Sequence, residues 1–375
     1  MEIRKTSIYD SFICTAEKCP ENCCRGWRVH IDDDTVQKYL EMKGVCGFMI
    51  RACMHTDDSM PYFSGRSVVC PLMTFKGLCS IQKRFGEDLM PEICRRFPRD
   101  IRNYGAFAEM HLDPACTRVS EMLLEAGSDI TLVSSIGETG LPVYGNNDDS
   151  LFLEELVRSR SALLKLFEYD GNKTLYSLDG IFTEAMNIAF DDHEKVLGIS
   201  ESRRKRESGI KNLPLPASLL NEMTAGSFYK DRMLLYSPYF YGLFRSYFRY
   251  FGNLTPAKAQ KKYENALERM ICSHPGTVSH IFTYIRYSLE REYLTTYEDY
   301  SFIKRILDNI ICANMVLLLM TVCHMRYGRL TVTDEARIIS MTERRARHNE
   351  SILKKLSDMY RNDTPDFFST DTCRP

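Results

Sequence analysis

"CPENCCRGW", residues 19–27, places three thiols, Cys19, Cys23 and Cys24, within six positions and follows them with Trp27, the only tryptophan of the chain. The short gap between Cys19 and Cys23 lets one loop turn two sulfurs toward a single metal centre without strain. Adjacent residues point in different directions, so Cys23 and Cys24 are not expected to bind one metal together. A loop of this kind supplies only part of a coordination shell. The other ligands must come from distant segments, and metal binding then also contributes folding energy.

Working outward, the further thiols are Cys14, Cys70 and Cys79 in "CPLMTFKGLC", Cys94 in "PEICRRFPRD" and Cys116 in "DPACTR". Ten of the fourteen cysteines fall in the first 116 residues. A core using cysteine merely as a small apolar residue has no reason to concentrate it so, although buried free thiols are the simplest alternative. The opening "MEIRKTSIYDSFIC" has no apolar core of signal-peptide length, so reduced thiols in a cytoplasm are expected rather than disulfides. As one straight helix, Cys79 to Cys94 would span roughly 22 Å at 1.5 Å per residue, too far to share a cluster. Gly86 and Pro91 interrupt the segment, so a helix, a bend and a return are expected instead. Cys116 lies near an expected helix start, which should lower its thiol pKa. Four thiolates suit tetrahedral zinc and suit a [4Fe–4S] cluster equally. The spacing CxxxCxxC of radical S-adenosylmethionine chemistry is broken, because Gly26 stands three beyond Cys23.

The chain has 375 residues, 44% of them hydrophobic, and a net charge of −1. It is long enough for one large or two ordinary domains. The near-neutral balance argues against a general binder of nucleic acid or anionic membrane. The longest apolar run, "IICANMVLLLMTVC" (residues 310–323), is shorter than the ~20 residues that span a bilayer, so a buried helix is expected. "WRVHID" alternates like a short strand, and "DDDTVQKYLEM" reads as a capped helix from about Asp34. "VVCPLMTFKGLCSIQ" reads as a hairpin or tight loop with Gly77 at its turn. "DPACTRVSEMLLEAG" reads as a helix with Asp113 as N-cap, Pro114 first in the helix and Gly127 at its end. Residues 127–150 are polar and glycine-bearing, a candidate linker. Helices are expected beyond it, with Leu151, Leu153, Leu156, Leu163 and Leu164 on one face, and over 256–272, 275–293, 300–327 and 333–360. The expected fold is mainly α. A cysteine-rich metal-cluster module with short strands or loops (1–126) precedes an irregular all-helical domain (151–375).

Other chemistry is thinly signalled. No Walker loop, GxSxG elbow, HExxH pair or glycine-rich Rossmann turn is present. The segment 228–252, "FYKDRMLLYSPYFYGLFRSYFRYFG", carries eleven aromatic residues. Tyr236, Tyr239 and Tyr241, with Tyr247 and Tyr250, could line an aromatic slot with their ring faces and hydroxyls, and Arg245 and Arg249 could neutralise a bound carboxylate. Aromatic packing between helices is the simpler reading. "RRKR" (203–206) reads as a solvated loop that could also steer an acidic partner face. "ERRARHNE" (343–350) reads as the charged face of a helix rather than a site.

"CTAEKCPENCCRGWRVHID", "CPLMTFKGLCSIQKRFGEDLMPEICRRFPR" and "DPACTRVSEMLL" resemble, in order, the flagellin lysine N-methyltransferase family of motile bacteria, most specifically over residues 9–124. The resemblance implies methyl transfer from S-adenosylmethionine to lysine side chains of flagellin, in the bacterial cytoplasm, by a protein carrying a [4Fe–4S] cluster. It implies Cys19, Cys23, Cys79 and Cys94 as preferred ligands, with Cys24, Cys70 and Cys116 as alternates, and Trp27 packed beside them. An iron with an open position, held by three cysteines, is one way to seat the cofactor's amino and carboxylate groups. The competing reading is a zinc- or iron-binding structural or interaction module without catalysis; a redox or iron sensor is a third.

Overall fold

The computed structural model describes residues 1–26, 29–56, 60–63, 69–144, 149–197 and 237–363. Trp27, the 203–206 run and Tyr236 therefore lie outside the described residues.

The chain opens with strand β1 (Glu2–Thr6) and reaches a short strand β2 (Val29–His30). Helices α1 (Asp33–Glu41) and α2 (Gly44–Ala52) and strands β3 (Met54–Thr56) and β4 (Pro61–Phe63) follow. Then come α3 (Ser80–Phe85), α4 (Glu92–Arg96), β5 (Arg99–Asn103), β6 (Phe107–Leu112), α5 (Thr117–Ala126) and β7 (Leu132–Ile136). The main sheet has the order β5-β6-β1-β7, with β1 parallel to β6 and the other pairs antiparallel. Glu2 thus lies opposite Phe107, so everything between β1 and β5 is looped out of this sheet and clamped at both ends. That looped-out part carries its own small sheet, β2-β4-β3. Residues 127–150, expected as a linker, supply β7, whose pairing with β1 runs from Glu2–Ile136 to Thr6–Leu132.

The remainder is helical: α6 (Ser150–Leu166), α7 (Leu178–Leu197), α8 (Pro238–Phe251), α9 (Pro256–Ser273), α10 (Gly276–Glu292), α11 (Phe302–Tyr327) and α12 (Val332–Thr342). A five-residue π-helical turn (Glu343–Arg347) and α13 (Glu350–Asp363) complete it. The mainly α expectation therefore holds. Among the described residues α11 is the one helix long and apolar enough to cross a membrane, and its apolar window is wholly buried inside the fold. Every residue from Ile306 to Cys323 is buried, because α7, α8, α9, α10 and α12 pack around it. On α6, Leu153, Leu156 and Leu163 reach this core, Leu164 is half-buried, and Leu151 in the first turn is exposed.

Two local expectations change. The helix expected over 333–360 is broken by the π turn and by His348 and Asn349. The helix after β6 starts at Thr117 with Cys116 as its cap, and Gly127 ends it at φ +57°. Asp113 is drawn instead into a turn, where its Oδ1 accepts from the Ala115 amide at 2.8 Å while its other oxygen meets Arg291. A buried cation outcompetes a helix end for a carboxylate.

Candidate thiol-lined active site

Eight thiols, Cys14, Cys19, Cys23, Cys24, Cys70, Cys79, Cys94 and Cys116, line a single cavity of about 1590 Å³ between the looped-out module and the helical part. All seven cysteines that the resemblance points to as ligands or alternates are among them. Cys46 and Cys53 lie on α2 and just after it, outside the lining.

Backbone contacts bring the thiol segments together. The Cys70 amide donates to the Cys24 carbonyl at 2.8 Å, and Arg25 bridges to Val69. The Asn22 side chain receives the Cys24 amide at 2.7 Å and donates to the Gly77 carbonyl. Gly77 sits at φ +75°, and a Cβ there would come within 3.0 Å of Asn22 Nδ2, so the turn between Cys70 and Cys79 requires glycine. Cys79 then caps α3, Gly86 (φ +78°) ends it, and Pro91 opens α4, which carries Cys94. This is the helix, bend and return expected from the spacing. Asp32 secures it: one oxygen caps α1 through Thr35 at 3.0 Å, and the other accepts from the Glu92 amide at 2.7 Å at the start of α4.

The thiols form two overlapping sets. Burial, and then the charges of Cys23, Cys70 and Cys79, push the Cys94 thiol up. Cys70 rises to about 11, through burial first and then Cys79, Cys53 and Cys23. Cys23 falls to about 6, because the Cys24 thiol donates to it and Arg344 stands nearby, while Cys24 itself is raised. Cys19 and Cys116 form the second set. Cys19 is raised by burial and feels Arg344 and Cys23. Cys116 is pushed up to about 12 by burial, with Cys19 and Arg344 as its charged neighbours. The expected lowering at a helix start is therefore overturned: Cys116 is buried, and desolvation of a thiolate outweighs the amides beneath it. Of the preferred ligands, Cys23 and Cys79 act on Cys94 together with Cys70, and Cys19 is a charged neighbour of both Cys23 and Cys116.

The segment 343–350, read from the sequence as a charged helix face, forms the opposite wall. Arg344 and Arg345 are buried there, and Arg347 and His348 line the cavity with them. The Arg344 guanidinium donates to the carbonyls of Ala115 (2.7 Å), Asn22 (2.8 Å) and Glu21 (2.8 Å), tying the Cys19–Cys24 loop to the Cys116 turn. Glu21 is held further by Arg337 at 2.6 Å and by the Ser237 hydroxyl at 3.0 Å. Deeper in, buried Arg291 faces Asp113 (3.2 Å), Glu292 (2.8 Å), Asp100 (3.4 Å) and Glu343 (3.5 Å). Among the described residues, nine arginines and six carboxylates line the cavity, an excess of three positive charges around the thiols. The π turn produces this wall by adding a residue to the helical repeat, so that neighbouring arginines face inward. In the sequence the only signal was the density of arginine between two apolar helices.

The aromatic candidates lie elsewhere. Phe240, Leu243, Phe244, Tyr247 and Phe251 of α8 are buried in the large helical core. Tyr239 donates to Asp334 at 2.9 Å with the Arg337 guanidinium 3.7 Å above its ring, and Tyr250 donates to the Met325 carbonyl at 3.2 Å. Tyr241 is half-buried, Arg245 and Arg249 are exposed, and none of these residues lines the cavity. Helix packing accounts for the aromatic residues of α8, the described part of that segment.

Over 132 residues, 32% of this chain, the sequence is 28% identical to the flagellar biosynthetic protein FliU of Salmonella muenchen, covering 76% of that protein. It is also 28% identical over 132 residues to the lysine-N-methylases of Salmonella choleraesuis and Salmonella typhimurium, covering 32% of each. No family model and no solved structure matches the chain. The match spans about a third of the length of those two methylases, which makes this chain a distant relative, over part of its length, of proteins so named.

Proposed function

We propose that this protein transfers a methyl group from S-adenosylmethionine to lysine side chains of a protein substrate, with flagellin the substrate its named relatives suggest. In this reading it works in a bacterial cytoplasm and carries a [4Fe–4S] cluster on the thiols of the cavity. The observation that carries it is the gathering of thiols from four distant segments into one arginine-rimmed cavity. Cys23, Cys70, Cys79 and Cys94 are the ligands we propose, Cys70 replacing Cys19, and Cys24 donates to the Cys23 sulfur. The donor set fits: it is purely thiol, and the arginine excess offsets the negative charge of thiolate-bound iron and sulfide. Among the described residues no three thiols lie within 4.8 Å of one another. A cluster bound there supplies iron that can hold electron-rich groups of a cofactor or exchange an electron.

The chain's own residues meet two further demands. A lysine amine has an ordinary pKa of about 10.4 and must lose a proton before it attacks a methyl sulfonium. The cationic wall lowers that pKa by like-charge repulsion, and the same arginines can pair with the cofactor's carboxylate. The test is anaerobic purification, with iron, sulfide and zinc content and visible absorption, followed by incubation with methyl-labelled S-adenosylmethionine and flagellin. Label on flagellin lysines is the expected result; a colourless, zinc-loaded protein that labels nothing would sink the proposal. The slender apolar core around the thiols favours a second reading, in which metal only holds the fold and the cavity wall binds a partner.

A further inference from the structure

The break after the π turn leaves His348 at the cavity wall, its side chain 34% exposed. Its Nε2 lies 2.7 Å from Asp113 Oδ2, and its backbone amide donates to the Glu343 carbonyl at 2.9 Å. Asp113 is fixed from three sides. Its Oδ1 receives the Ala115 amide at 2.8 Å, its own amide donates to the Pro98 carbonyl at 2.7 Å, and Arg291 stands 3.2 Å from Oδ2. A carboxylate so immobilised orients the imidazole and stabilises its protonated form, which is the arrangement of a general base.

We propose that His348 is the general base that takes the proton from the substrate's amine, with Asp113 as its positioning residue. This rests on the methyl-transfer reading above. The alkylammonium gives its proton to the neutral imidazole and becomes an amine. The amine's lone pair then forms the new N–C bond to the methyl group. The C–S bond breaks, its electron pair stays on sulfur, and the sulfonium becomes a neutral thioether. The imidazolium left behind is balanced by Asp113 until its proton passes to solvent.

The charged groups facing His348 are Asp113 from the turn after β6, Arg291 from α10 and Glu343 from the π turn. Burial and Arg291 work against the imidazolium, but Asp113 and Glu343 outweigh them and its pKa rises. Since the base must be neutral, the rate should climb with pH through a value above the ordinary ~6.5 of histidine.

The experiment compares wild type, His348→Gln and His348→Ala, each loaded with iron and sulfide, in methyl-labelled S-adenosylmethionine transfer to flagellin from pH 6 to 9. Iron content, cofactor affinity and melting temperature are measured alongside. Removing a general base should slow transfer by about 10²–10⁴-fold, with iron content and cofactor affinity unchanged and any loss of melting temperature too small to unfold the variants at the assay temperature. Added imidazole should restore rate to His348→Ala, and the histidine limb of the pH profile should vanish. If both variants keep the wild-type rate and pH profile, or lose rate with no rescue by imidazole, the proposal is overturned. No transfer by the wild type overturns the methyltransferase reading and this inference together; transfer by wild type and variants alike overturns this inference alone.

Discussion

Helix α11 and the thiol module solve the same problem in opposite ways. Around α11 a continuous stretch of eighteen residues, Ile306 to Cys323, is buried, and aromatic and aliphatic side chains from five neighbouring helices close over it. Among the described residues, the thiol module has seven buried residues in its own apolar cluster: Val29, Ile31, Tyr39, Ile50, Phe63, Ile81 and Met90. Burial at roughly 25 cal/mol per Å² stabilises the first region generously and the second barely. The module makes up the difference with polar ties (Asp32 at the α1 and α4 starts, Arg344 across three carbonyls) and, in our reading, with metal. One region is held by area, the other by a few strong and specific contacts.

Metal removal should separate the two regions most sharply. Stripping iron should leave α11 protected in hydrogen exchange while residues 19–98 lose protection almost entirely, since binding energy there is folding energy. Equal protection of the module with and without iron would mean that its small core suffices. Among point changes, Cys94→Ser should abolish the visible cluster band, whereas Cys46→Ser, outside the cavity lining, should leave it intact.

A core truncation should do the reverse. Phe244→Ala removes a ring that is 1% exposed and should cost about 3–5 kcal/mol in chemical denaturation. The cluster band at low denaturant should be retained. If this variant also sheds its cluster, the two regions form one cooperative unit and the contrast drawn here fails.

Arg344→Gln probes the join between them. It withdraws charged donors from three carbonyls and should cost about 3 kcal/mol. Its signature should be faster loss of iron with little change in protection of α11. Unchanged iron retention would show that the Cys19–Cys24 loop holds its place without the guanidinium.

The smallest effects are those of pH. Glu109 is buried in the sheet. Burial works against its charge, but Arg160 at 2.6 Å, with His111 at 3.1 Å, holds its carboxyl well below the usual range. Its contribution is fully present above about pH 4.3, the unfolded value, and is lost as pH falls through the folded one. His348 carries the opposite sign: its pairing with Asp113 stabilises fully below about pH 6.5 and fades as pH rises past its raised value. Melting curves should show Glu109→Gln flattening the acid edge and His348→Gln the alkaline one.

Much of the site's near side was legible. Clustered thiols announced a shared cavity, and Gly77, Gly86 and Pro91 announced the turns that bring Cys70, Cys79 and Cys94 to its wall. Those are local properties, because backbone conformations that need glycine, or that proline enforces, are set within a few residues. The far wall was not legible. "ERRARHNE" looks like a solvated face, since nothing local distinguishes an arginine that meets water from one that meets the Glu21, Asn22 and Ala115 carbonyls some 230 to 320 positions away. For the same reason Asp113 reads as a helix cap until Arg291 is in place. On α8 the described aromatic residues pack in the helical core, and periodicity shows which face is buried but not what buries it.

By itself, the sequence determined the mainly helical class, the buried run of α11 and the supply of thiols, because burial pattern, caps and breakers act over one or two turns of chain. Only the tertiary structure decided which thiols meet and that arginines close the cavity. It also decided that His348 faces a fixed carboxylate there, since each of these depends on pairing between segments that elementary propensities do not connect.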